Sequence, residues 1–437
     1  MTPAASLRFR FTGKLADLSG ADSALLFDRT SLRDPAIGTV VVKIIERVRA
    51  RGDSALRELA HELDGVALEE LEVPTRRIES ALDRLPRVLR SAMSRSVTNL
   101  ERVHGGFIPT TAEIEVEPGV IVGRRPDPLD RVGVYAPGGS AAYASSVLMG
   151  AVPARSAGVR EIVLCSPPGP DGFPPDVVLA AARIAGVHRV FSLGGAGAIA
   201  AMALGTDTVP RVDRIVGPGN AYVAEAKLQL SGSVGIDSPA GPSELLIIAD
   251  KWANAECVAR EAIAQAEHDA RAIVVVLAVG RDAAVRIAEA IGAAVENAPR
   301  RETILQSFAG GGGVLQVDDI ASSIEASNRF APEHLLIATT NPDDVLPLVR
   351  NAGTVFLGET SSVAFGDYIT GANHVLPTGG LARSYSGLST LDYFRWTTYQ
   401  RVSRGAATAL SNDAAIFAES EGLLSHAAAA RAAGANQ

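Results

Sequence analysis

The chain has 437 residues, 41 Lys+Arg against 49 Asp+Glu and a formal charge of -8. That length suggests roughly three structural units. The 47% hydrophobic and 21% charged composition excludes wholesale disorder. The net negative charge argues against binding nucleic acid or an acidic membrane, and two cysteines, Cys165 and Cys257, are too few for a disulfide scaffold or a Cys-based zinc ribbon.

Residues 1–33 carry no clear periodicity and no signal peptide, so a cytoplasmic protein is expected. Asp34 and Pro35 then suit a helix start. Val41, Ile44, Ile45 and Val48 recur at helical spacing, and Gly52 follows the last turn. Residues 75–104 read as further helix. The long uncharged stretch Val132–Ala154 holds Pro137, Gly138, Gly139 and Pro153, which speaks against a membrane span.

From Arg131 the strand-like runs Val132–Tyr135, Ile162–Cys165, Val190–Leu193 and Arg214–Val216 alternate with helical stretches. A second set, Glu244–Ile248, Ile273–Leu277, Val314–Val317, Leu335–Thr339 and Thr354–Leu357, alternates in the same way. This predicts an α/β protein with two tandem Rossmann-like, doubly wound parallel-sheet units. Gly310–Gly313 reads as a turn, and the chain from about Asp392 onward as helix.

Several residue groups could carry chemistry. Gln265 and His268 lie three apart near a helix end, on one face. They suit either two metal ligands or a polar helix terminus. Glu333-His334 sits between a helix and a strand, where an adjacent carboxylate and imidazole suit either acid/base work or a loop ion pair. Gly366-Asp367-Tyr368 and Gly371-Ala372-Asn373-His374 form a polar, glycine-flanked loop, a frequent site in α/β folds and also ordinary turn chemistry. Glu421 and His426 are about 140° apart on an ideal helix and need not share a ligand. Gly195-Ala196-Gly197-Ala198-Ile199-Ala200 matches a dinucleotide fingerprint between strand and helix, with Asp213 as the acidic residue 18 positions on. Gly217-Pro218-Gly219-Asn220 repeats the strand-to-helix glycine theme. No H-E-x-x-H, C-x-x-C, G-x-S-x-G or P-loop pattern is present.

Taken together, Val134-Tyr135-Ala136-Pro137-Gly138-Gly139, Val216–Asn220, Pro239–Glu244, Gln265–His268, Pro332-Glu333-His334, Gly366–Tyr368 and Asn373–Thr378 resemble the histidinol dehydrogenase family, in order and over residues 40 to 426. The resemblance implies zinc-dependent oxidation of L-histidinol to L-histidine through L-histidinal with two NAD, the last step of histidine biosynthesis. It implies one Zn2+ per subunit on Gln265, His268, Asp367 and His426. It gives His334 the alcohol proton and Glu333 the activation of water. Ser243, His374 and Glu421 join these residues in the substrate pocket, and Tyr135, Gly197 and Asn220 lie toward NAD. Where the family pattern has an NAD-contacting glutamine, this chain has Gly197. The resemblance also implies a homodimer whose C-terminal segment completes the partner's site.

The expected division is an N-terminal segment, 1–30; a first α/β domain, 31–134 and 243–388, carrying the metal and acid/base residues; a nucleotide-binding α/β domain, 135–242; and a helical C-terminal segment, 389–437. A related NAD- and zinc-dependent dehydrogenase of another small alcohol, and a zinc hydrolase using Glu333 on water, stand as alternatives.

Overall fold

The structure is a computed structural model that describes residues 6–29, 35–138, 142–239 and 241–435. The cap Asp34, Gly139–Ser140 and Ala240 of the motifs above lie outside the described residues.

Two parallel sheets, each wrapped by helices on both faces, form the body. The six-stranded sheet has the order Phe11–Lys14, Gly313–Val317, Ile273–Val279, Glu244–Ala249, His334–Ala338, Thr354–Leu357. Strands such as Leu245–Ala249 are apolar throughout because both faces are covered. The helices Ala255–Ala266, Arg281–Val295 and Arg301–Gly311 bury Val258, Ile287 and Phe308 on one face. The helices Gly20–Phe27 and Ile320–Phe330 bury Leu26, Phe27 and Phe330 on the other.

The five-stranded sheet has the order Arg189–Ser192, Glu161–Ser166, Arg131–Tyr135, Arg214–Val216, Gly235–Ile236. Helices Thr75–Arg84, Arg87–Gly105, Ala144–Ala157 and Asp176–Ala185 cover one face. Pro35–Leu59, Gly195–Leu204 and Ala221–Leu230 cover the other. The first of these breaks at Gly52, whose φ of 50° no ordinary helical residue adopts.

The two doubly wound units are as expected, but their boundaries differ. The helical part of 31–134 packs on the five-stranded sheet, with Val41, Ile45, Leu56, Ile78 and Leu100 in its core, and not on the sheet that carries Glu333 and His334. Strand Arg131–Tyr135 lies central in that sheet. The segment 1–30 is not separate either, because Phe11–Lys14 forms the edge strand of the six-stranded sheet beside Gly313–Val317. An amphipathic stripe shows that a helix is half-buried but not which sheet it covers.

A third sheet was not anticipated. Ala112–Glu117, Val120–Pro128 and Phe394–Val402 pair antiparallel. The segment 389–437 therefore runs from a short 3-10 turn, Thr390–Tyr393, into a strand, and is α-helical only from Arg404, as the hairpin Arg404–Ser420 and Leu424–Ala435. The glycine run 310–313 is likewise not a turn: it ends one helix and starts a strand, and a Cβ at Gly313 would collide with the Phe11 carbonyl. No helix among the described residues is long and apolar enough to cross a membrane.

Candidate active site

Two strand edges supply the candidate residues. His334 opens strand His334–Ala338 and Glu244 opens Glu244–Ala249, so both lie at the amino edge of the six-stranded sheet. Tyr135 ends its strand, and Gly194–Gly195 and Gly217–Asn220 follow theirs, at the carboxyl edge of the five-stranded sheet. The segment after helix Val363–Tyr368 ties the halves together. His374 Nε2 lies 3.2 Å from Ser146 Oγ, Asn373 Nδ2 donates to the Met149 carbonyl (2.8 Å), and the Tyr393 hydroxyl donates to the Gly150 carbonyl (2.7 Å).

Glu333 and His334 are buried. Glu333 Oε2 accepts the Glu244 backbone N–H at 2.7 Å, and His334 Nδ1 lies 3.0 Å from the Glu244 carbonyl. A carbonyl only accepts, so Nδ1 carries a proton and Nε2 is the titrating atom. Among the described residues Nε2 has no hydrogen-bond partner, and it faces Asp367 Oδ1 at 3.7 Å; Nδ1 is 3.5 Å from Glu333 Oε2. Burial opposes charge on the ring, but Glu333 and Asp367 together outweigh it and raise His334 to about 10. Burial pushes the Glu333 carboxyl up, against the pull of His334. Asp367 is held down despite its burial, because His334, His374 and His268 surround it. Burial lowers His374, whose Nδ1 meets the Asp367 carbonyl at 3.0 Å.

Gln265 is buried in the last turn of helix Ala255–Ala266, and His268 follows its end, its N–H closing on the Gln265 carbonyl. Ser243, half-buried, precedes Glu244. Thus Ser243, Gln265, His268, Glu333, His334, Asp367 and His374 belong to one end of the six-stranded half. Glu421 and His426 do not join them within one chain. Both are exposed near the turn of the C-terminal hairpin, and neither pairs with a site residue among the described ones. Exposed Ile416, Phe417, Leu423 and Leu424 surround them in sequence. Among the described residues no three His, Cys, Asp or Glu converge as a metal cluster.

At the other edge, the Tyr135 hydroxyl accepts the Gly195 N–H at 3.0 Å, and burial raises its phenol to about 12. Gly217 packs on the Tyr135 backbone at φ 118°, where a Cβ would collide with the Tyr135 carbonyl. Its N–H donates to Asp237 Oδ2 (2.7 Å) and its carbonyl accepts from Lys227 Nζ (3.0 Å). Lys227 and Asp237 are themselves a buried ion pair. Asn220 is exposed and caps helix Ala221–Leu230, its Oδ1 accepting from Tyr222 and Val223.

Two nucleotide readings need correction. Gly197 is buried under helix Pro35–Leu59, and a Cβ there would lie 3.2 Å from Leu59 Cδ1, so it serves helix packing and not the open crevice. Asp213 lies at the opposite, amino edge of its sheet, accepting the Arg131 N–H at 2.9 Å. A fingerprint match cannot tell a glycine that admits a neighbouring helix from one that admits a ligand.

Sequence reasoning passed over Arg29, Glu244 as an ion-pair partner, Lys227, Asp237 and Ser146. The available signal was a lone charge heading an apolar strand or lying in an alanine-rich helix, which a buried position forces to find a partner.

The profile of the family described as histidinol dehydrogenase matches residues 27–433. The histidinol dehydrogenase of Methanothermobacter thermautotrophicus is 45% identical over 90% of this chain and 92% of its own length. That of Methanosarcina mazei is 43% identical over 96% of each chain. The crystal structure of histidinol dehydrogenase from Elizabethkingia anophelis superposes with a TM-score of 0.93 at 32% identity, covering 98% of each chain.

Proposed function

The chain belongs to the histidinol dehydrogenase family of NAD-dependent oxidoreductases, and from that premise we propose that it oxidises L-histidinol to L-histidine through L-histidinal with two NAD and one zinc ion per subunit. The observation that carries this reading is the buried Glu333–His334 pair, fixed from one residue, Glu244, with Nε2 unpartnered among the described residues and facing Asp367.

The donor set fits a borderline divalent ion. Gln265 and His268 sit at a helix carboxyl end, and Asp367 is kept ionised among imidazoles. His426 of the partner subunit is the proposed fourth ligand, in keeping with its exposure here beside uncovered Phe417 and Leu424. When bound, zinc would engage Asp367 and the substrate's nitrogens, orienting the alcohol and withdrawing an anion that holds the proton on His334. NAD supplies the hydride acceptor, and Tyr135 and Asn220 mark the edge where it would lie.

His334 Nε2 takes the hydroxyl proton in the first oxidation, its ring held by the Glu244 carbonyl. Glu333, whose carboxyl burial makes more basic than an exposed one, takes a proton from the water that adds to the aldehyde. Burial of both groups keeps other water out. Ser243, His374 and the partner's Glu421 line the substrate.

The test is NADH formation by zinc-loaded protein given L-histidinol. Two NADH per histidinol, abolished by a chelator, are expected. Zinc binding with no NADH from histidinol would move the assignment to another small alcohol or to hydrolysis. A chain ending at Ser420 should lose activity, because it removes Glu421 and His426 from both sites; full activity would contradict the shared site.

A further inference from the structure

We infer that the buried pair Arg29–Glu244 is a positioning device for the acid/base couple, so that the N-terminal segment takes part in turnover without touching substrate. This rests on the reading of Glu333 and His334 given above.

Glu244 and Arg29 side chains are 2% and 3% exposed. Two parallel bonds join them, Nε to Oε1 at 2.9 Å and Nη2 to Oε2 at 3.1 Å. Glu244 Oε1 also accepts the Gly379 N–H at 2.9 Å. Arg29 donates further to the carbonyls of Leu26 (2.9 Å) and Phe330 (2.8 Å), and its guanidinium lies 3.4 Å from the Phe330 ring centroid. The guanidinium thus has fixed contacts in its plane and on one face.

The backbone of Glu244 explains what this clamp is for. In a parallel sheet one residue's N–H and C=O point to the same neighbour. Toward the neighbouring strand, pairing begins only at Leu245, opposite His334. The N–H of Glu244 goes instead to Glu333, and its carbonyl to His334. The N–H and carbonyl of this strand head thus meet both reacting side chains, the carbonyl at the rung where the ladder to His334 starts. A rotation of that head would displace both at once. The Arg29 fork holds it from the side-chain end. A buried ion pair gives little net stability over an apolar pair of the same volume. What an apolar pair lacks is the bidentate, directional geometry that fixes one carboxylate in one orientation.

The experiment compares full-length, zinc-loaded Arg29→Met, Arg29→Lys and Glu244→Gln with Leu26→Ala. Leu26 is buried in the same segment but its side chain lies outside the ion pair. At saturating NAD, kcat of Arg29→Met should fall about 100-fold while KM for L-histidinol moves less than about threefold. Arg29→Lys, which keeps charge but not the fork, should recover about tenfold of that loss. Leu26→Ala should keep kcat, even with a comparable loss of Tm. Zinc content should be equal in all. Wild-type kcat in both Arg29 variants, or a kcat that follows Tm alone through Leu26→Ala, would overturn the inference. If Arg29→Met does not fold, Arg29→Lys against Leu26→Ala decides the question in the same way. Wild-type protein that makes no NADH from L-histidinol overturns the underlying reading, and the inference falls with it.

Discussion

In the five-stranded half the candidate residues stand where strands end and helices begin; in the six-stranded half they stand where strands begin and helices end. Tyr135, Gly195, Gly217 and Asn220 mark the first edge, and Ser243, Gln265, His268, Glu333 and His334 mark the second. The difference has a physical sense. Helix amino ends present N–H groups and positive potential, which suit an anionic nucleotide. Helix carboxyl ends present carbonyls and negative potential, which suit a cation and imidazoles. At the carboxyl edge of the six-stranded sheet the ends of strands Glu244–Ala249 and His334–Ala338 are instead tied together, where Asp250 accepts from the Thr340 N–H (2.6 Å) and hydroxyl (2.7 Å). Each of these edges also carries a buried ion pair, Arg29–Glu244 behind Glu333 and His334 and Lys227–Asp237 behind the Gly217 turn.

The strongest way to break this division is to alter the acid/base couple. His334→Ala and Glu333→Gln should each lower kcat by about 10²–10⁴ and leave NAD affinity unchanged, measured by steady-state kinetics and calorimetry. A loss of NAD affinity in either would show that the two edges are not separable.

The brace on the other half comes next. Lys227→Met leaves Asp237 buried without its cation and should cost about 3–5 kcal/mol in chemical unfolding. Lys227→Met with Asp237→Leu should recover much of that stability. The double variant should still bind NAD about tenfold more weakly, because nothing holds the N–H and carbonyl of Gly217. Restored NAD affinity in the double variant would reduce the pair to a stability element.

Acid should distinguish the halves as well. His104, buried in the helix Arg87–Gly105 beside the five-stranded sheet, has no partner at either ring nitrogen among the described residues, and burial lowers it to about 4. Its folded value lies below the ordinary 6.5, so the folded state resists protonation. Stability is then full above pH 6.5 and falls as the pH drops from there toward 4, by up to about 3 kcal/mol. His104→Leu should flatten that slope, read from denaturant midpoints at several pH values; an unchanged slope would assign acid lability elsewhere.

The smallest effect is expected at Gly197. Gly197→Ala gains helix propensity and presses on the flexible end of Leu59, so stability should change by less than about 1 kcal/mol. NAD affinity should not move. A clear loss would return Gly197 to the nucleotide crevice.

The sequence made some of this legible and hid the rest for definite reasons. The strands Glu244–Ala249 and Ile273–Val279 are apolar runs that only a covered parallel sheet accommodates, so the doubly wound units were readable. Strands Ala112–Glu117 and Phe394–Val402 were not, because their exposed faces alternate with charges and resemble solvated helix or loop. Glu333, His334 and Asp367 were visible as motif residues, and the structure brings them together. Arg29 was not, because its meaning lies in Glu244, 215 residues away. The partner of a buried charge is set by topology, which spacing along the chain does not encode.

If one edge binds nucleotide and the other moves protons, the two properties can be lost separately. Calorimetric titration of NAD into His334→Ala and Lys227→Met, alongside kcat at saturating NAD, tests it most directly. His334→Ala is expected to bind NAD as the wild type does and to turn over barely at all, while Lys227→Met is expected to bind NAD weakly and keep most of its kcat once saturated. NAD binding lost in His334→Ala and intact in Lys227→Met would contradict this separation.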